Sequence, residues 1–181
     1  DKRVEPPFWP GTHWKHALVV ATDQKGLTYD QLDERAAWFY EAVAISKAML
    51  TQTVGVGQRY IAAYKDKDGN WLSGDNTYKL HVPANPPAKN FWSVTAYDEG
   101  TRQMPVTEQG RPDVSSRKTD IVKNSDGSVD VYFGPTAPAG HETNWVQTNS
   151  GKGWFAYFRF YGPTEAFFDK SWALPDLEKV K

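Results

Sequence analysis

Arg159 has the neighbours that most invite chemistry. It lies in GWFAYFRFYGP (153–163), and strand alternation separates that run into two faces. One face reads Trp154, Ala156, Phe158, Phe160. It is wholly apolar and is expected to enter a core. The other reads Phe155, Tyr157, Arg159, Tyr161. It mixes rings, hydroxyls and a guanidinium, so it reads as a wet surface, an interface or a binding site. A guanidinium offers a planar fork to carboxylate or phosphate and stacks on rings. Tyr97, on the polar face of its own strand, and Arg102 just after it would join this site if the strands are neighbours. Asn144 and Trp145 precede the last strand and could rim it. The plainer alternative pairs Arg159 with an acid, Asp98 or Glu142, to close the end of a sandwich. That structural role is slightly favoured, and in either case a buried arginine must be paired, since a buried unpaired charge is very costly.

Other chemistries find less support. DKDGN (66–70) lacks the glycine and glutamate positions of a calcium loop and reads as a hairpin turn. TVGVGQRY has two glycines but leads into a strand, against a dinucleotide fingerprint. His13, His16, His81 and His141 show no metal-ligand spacing, so no metal and no cofactor is expected. There is no nucleophile elbow. Paired carboxylates for sugar hydrolysis stay open, because their separation is a three-dimensional quantity.

The elements that must position Arg159 follow from pattern. Residues 1–16 form a Pro- and Trp-rich arm whose rings must rest on the body or on a partner. ALVVAT (17–22) is a strand candidate. LTYDQLDERAAWFYEAVAISKAML reads as one helix, with Leu32, Ala36, Phe39, Tyr40 and Val43 at helical spacing and a capping box at Thr28/Gln31. Strands are expected around 59–64, 78–83, 91–98, 121–124, 128–134, 145–148 and 153–161. NPPAKN is expected to be a loop, residues 100–120 irregular, and PTEAFFDKSW a short helix beginning at Pro163. Short strands joined by Asp-Gly and Pro-rich turns predict a mostly β, jelly-roll-like antiparallel β-sandwich with one N-terminal helix and a short C-terminal helix. Residues 1–75 would be arm, helix and lead-in hairpin, and 76–181 the β domain, together one unit.

The 181 residues carry no cysteine, a net charge of -1 and 14% aromatic residues, with 8 Trp. Disulfides and thiolate chemistry are excluded. Interspersed charge disfavours nucleic acid as a partner. No apolar run spans a bilayer. The opening DKRVEPPFWPG is not a signal peptide. It suits a mature end after cleavage or a cut inside a longer protein, and a periplasmic or secreted place is slightly favoured over a cytoplasmic one.

Several blocks in order give a resemblance: FWSV-x-x-YD-x-x-TR, DGSV-x-x-YFGP-x-AP-x-G, NW-x-x-T-x-x-GKG, R-x-YGP and FFDK-x-W. Over roughly residues 76 to 180 the chain resembles the bacterial family known as domain of unknown function 1214. LDERAAWFYEAV and VGVGQRYIAAYKDKDGNWLSG look like the segment leading into that domain. The resemblance implies the sandwich for the C-terminal part and an upstream β-rich domain, number 1254, in many members. It implies no activity. Tyr97, Asp98, Arg102, Asn144, Trp145, Arg159, Tyr161 and Pro163 fall on the family blocks.

The expected function is a binding module holding a small-molecule or carbohydrate-type ligand on the aromatic and arginine face. The first rival is a hydrolase using acids from the loops at 98–120 and 139–145, or a histidine, in a pocket shared with Arg159. The second is a structural or oligomerising domain whose rings meet another subunit or the upstream domain.

Overall fold

A computed structural model describes residues 6–180. Alternation along the strands builds two layers. β1 (Lys15–His16), β2 (Gln58–Ala63), β8 (Trp154–Pro163), β4 (Ala88–Asp98) and β5 (Asp113–Ser115) form one sheet in that order. β7 (Trp145–Gln147), β6 (Val129–Gly134), β3 (Thr77–Val82) and β9 (Glu178–Val180) form the other. All pairings are antiparallel except β6 with β7. The protein is a mostly β sandwich.

The inward residues of both sheets share one core. Trp154, Ala156, Phe158 and Phe160 meet Leu80, Val82, Val131 and Phe133 there, and all are buried. The apolar face of β8 is therefore where its alternation places it. Phe8, Trp9 and Trp14 of the arm are buried in the same core, so these rings rest on the body. Trp14 Nε1 donates to the Pro175 carbonyl at 2.9 Å, and His13 Nδ1 lies 2.8 Å from Asp176 Oδ2. Residues 1–5 of the arm lie outside the described residues.

Several local expectations are corrected. ALVVAT forms no strand, and the pairing falls on Lys15–His16 instead. The single long helix is two, α1 (Leu32–Glu41) and α2 (Lys47–Leu50), with a break over 42–46. The break lets Ile45 and Met49 reach a second apolar cluster. No capping box forms at Thr28. Gln31 is the N-cap residue, and its side chain accepts from the Ala21 amide at 2.7 Å. Only Trp38 of α1 is buried. The predicted stripe faces outward, with Leu32, Phe39 and Tyr40 exposed by 62%, 69% and 73%. Residues 121–124 make no strand, whereas 113–115 and 178–180 do. NPPAKN is not all loop, because β4 begins at Ala88 and crosses an irregularity before Phe91. Pro163 ends β8, and α3 is Glu165–Phe168.

A candidate anion-binding face on the five-stranded sheet

Directly opposed residues in a sheet point to the same side. The register sets Arg159 between Tyr60 of β2 and Ser93 of β4, and Tyr157 between Ala62 and Thr95. Tyr97 lies opposite Phe155, and Tyr161 lies between Gln58 and Phe91. Arg159, Tyr157, Tyr161 and Tyr97 are thus brought onto one outer face. Thr95 and Tyr60 join them, neither of which the β8 sequence alone indicates. Their signal is the alternation of their own strands, usable only once the strand order is known.

Arg159 Nη1 donates to Thr95 Oγ1 at 2.6 Å, and Nη2 donates to Tyr97 Oη. The guanidinium also lies 5.8 Å from the Tyr60 ring centre and 5.6 Å from that of Tyr97. The expected pairing with Asp98 or Glu142 does not form. Asp98 Oδ1 accepts from the Thr101 amide at 2.8 Å, and Glu142 Oε1 from the Gly140 amide at 3.0 Å. Both acids satisfy their own turns instead. Among the described residues Arg159 makes no salt bridge.

Arg102 joins from the end of β4. Its φ is +63°, a left-handed backbone that non-glycine residues seldom adopt. The turn holds it there, with the Arg102 amide donating to the Asp98 carbonyl at 2.9 Å and the Asp98 amide to the Gln103 carbonyl at 2.8 Å. The side chain lies over Phe155 at 5.2 Å and Tyr64 at 6.0 Å. Its Nη1 is buried without a hydrogen-bond partner.

Helix α1 covers part of this face through Trp38, which lies over Tyr157 at 6.3 Å and near Tyr60 at 6.0 Å. Its last residue, Glu41, accepts from Tyr64 Oη at 2.8 Å and from Tyr157 Oη. Burial, and then Glu41, push both phenols far above the ordinary range. Burial raises Tyr60 as well, against the pull of Arg159. These hydroxyls stay protonated at any physiological pH. Tyr157 is buried, so its part is to support the face rather than to meet solvent. Tyr161 stacks on Phe91 at 3.9 Å, with the Arg117 guanidinium 4.0 Å from the Phe91 ring centre.

Asn144 and Trp145 belong elsewhere. Asn144 is buried, accepts from the Val122 amide at 3.1 Å and donates to the Val122 and Asp130 carbonyls at 2.7 and 3.1 Å. Trp145 Nε1 donates to the Gly134 carbonyl at 3.0 Å on β6 of the other sheet. These bonds tie loops to the second layer and do not reach Arg159. Among the described residues no three His, Asp or Glu side chains gather as a metal site, and no helix is long and apolar enough to cross a membrane.

The profile of the family described as protein of unknown function (DUF1214) matches residues 57–165. The chain belongs to this family. The matched stretch holds β2 through β8, and with them Tyr60, Thr95, Tyr97, Arg102 and Arg159. No curated protein matches the chain. Among solved structures it is similar to the VPA0106 protein from Vibrio parahaemolyticus, with 25% identity and a TM-score of 0.61 over 68% of this chain and 31% of that one. A putative uncharacterized protein from Burkholderia cenocepacia matches at 18% identity and TM-score 0.49 over 68% of this chain and 30% of that one. The DUF1214 chain thus spans less than a third of either relative.

Proposed function

We propose that this DUF1214 protein is a binding module for a small acidic ring compound, of which a sugar acid is the type. One observation carries the reading. Two arginines rest on aromatic rings of one sheet face without a carboxylate partner, and both keep donors in hand. A guanidinium has five N–H donors, and Arg159 uses one on each of two neutral hydroxyls. A ligand carboxylate would accept from the remaining donors as a fork. The Tyr97, Tyr60 and Tyr161 rings and hydroxyls suit a sugar's faces and edges.

The test is calorimetric or NMR titration with galacturonate, with galactose as the neutral control. Galacturonate should bind at least about tenfold more tightly, and Arg159→Ala should abolish that difference while keeping the native thermal transition. A folded Arg159→Ala protein with undiminished galacturonate binding would sink the proposal. The hydrolase rival would draw on Glu41, the carboxylate bonded into this face, rather than on acids of the loops at 98–120 and 139–145.

A further inference from the structure

Beside β1 and α3 a cleft of about 400 Å³ opens, separate from the Arg159 face except that Tyr60 borders both. That volume is ordinary for a small-ligand site. Its charged lining is one-sided. Arg59 and Lys170 contribute to it beside a neutral His16, and no Asp or Glu does. Arg59 sits in its wall with its guanidinium committed to the Met49, Leu50 and Thr51 carbonyls at the end of α2, so backbone dipoles, not a counter-ion, offset its charge. Lys170 has a left-handed backbone, φ +61°, and carries its ammonium to 4.8 Å from the Phe8 ring centre. Among the described residues it too makes no salt bridge. Desolvation disfavours protonation of His16, and Lys170 and then Arg59 disfavour it further, which supports the convergence of the two cations.

The rest of the wall is mixed, with apolar side chains set among polar groups such as Gln31 and Gln52. Phe8 stacks on Phe167 at 5.0 Å, and Phe168 lies 6.0 Å from the Arg59 guanidinium. Leu18 and Met49 also line it. An anion here would meet the uncompensated charge of Lys170, and an apolar body attached to it would come out of water against Phe168, Leu18 and Met49. A sugar would waste that wall, and a bare inorganic anion would leave it wet.

The geometry points to a second ligand site in this cleft, one that takes a carboxylate borne on an apolar ring or short chain. The head lies between Lys170 and His16, and the body lies along Phe168, Leu18 and Met49, the half-buried apolar residues of the lining. This does not depend on the Arg159 face binding anything.

The experiment is an NMR amide-shift titration of the protein with 4-phenylbutyrate, alongside 4-phenylbutanol and 4-phenylbutylamine. For a ligand of this size a Kd on the order of 1 mM is expected, with shifts centred on residues 16–21, 49–60 and 167–170. The alcohol should bind about tenfold more weakly and the amine more weakly still. Lys170→Gln should weaken phenylbutyrate binding several-fold and Lys170→Glu about tenfold or more, because Lys170 is exposed and neither change disturbs the core. Lys123→Gln removes an exposed lysine elsewhere and should leave binding unchanged, separating a local effect from net charge. Equal affinity for acid and alcohol, shifts centred elsewhere, or unaltered binding by Lys170→Glu would each overturn the assignment.

Discussion

The inner face of β8 presents Trp154, Phe158 and Phe160, and the outer face presents Phe155, Tyr157 and Tyr161, three rings each. Inside, the rings pack on hydrophobic side chains of the facing sheet, of β4, of the arm and of the segment after β8, and shape decides what is tolerated. Outside, the same strand also carries Arg159 and two hydroxyls. Each polar atom there needs a partner, and Thr95, Tyr97 and Glu41 supply several. The inner face is held by volume and the outer face by pairing. A strand can therefore be fixed in place by volume on one side and by polar partners on the other.

Substitutions can break or sharpen this contrast. Phe158→Ala should cost the most, about 3–5 kcal/mol in urea unfolding, because it empties fully buried volume between the sheets. A loss below about 1 kcal/mol would mean that the sandwich closes over the gap. Trp38→Ala removes the only buried residue of α1, so amide exchange should rise across 32–41 while the sheet stays protected. Loss of protection in both would make α1 part of the core rather than a cover. Tyr157→Phe keeps the ring and deletes the bond to Glu41, with an expected loss of about 1 kcal/mol.

The outer tyrosines give the contrast a pH axis. Tyr64 and Tyr157 have folded pKa values raised above the unfolded value near 10. Their contribution is whole below that value and fades as pH rises past it, because only the unfolded chain then releases the protons. Absorbance at the phenolate band should show these two ionising only together with alkaline unfolding, and the urea midpoint should fall as pH passes about 10. Two phenols that titrate reversibly in the folded protein near pH 10 would contradict the burial that raises them.

Much of this contrast is legible in the residues. β3, β4, β6 and β8 each alternate strongly enough to show which side goes in, and the two faces of β8 divide as their spelling indicates. β5 is not legible, because Val114 is its only apolar residue and its pairing depends on β4 lying beside it. The helical stripe at Leu32, Phe39 and Tyr40 misleads for a related reason. Periodicity finds an apolar side, but the sheet offers room for one large ring, and Trp38 takes it. Within the site, Tyr157, Arg159 and Tyr161 follow from one strand. Tyr60, Thr95 and Glu41 come from three other elements, and no local pattern links them to Arg159. Asn144 and Trp145 adjoin β8 in sequence yet serve the opposite sheet, because the intervening turn crosses between layers.

The arm's anchorage also sets an order of events in folding. Trp14 donates to a carbonyl 161 positions later, and His13 pairs with an acid 163 positions later. Closing a loop that long is slow and is rewarded only once both ends are in place. Phe8, Trp9 and Trp14 thus have no complete seat until the last tenth of the chain has formed, and a refolding trace should show tryptophan burial finishing after the sheets have paired.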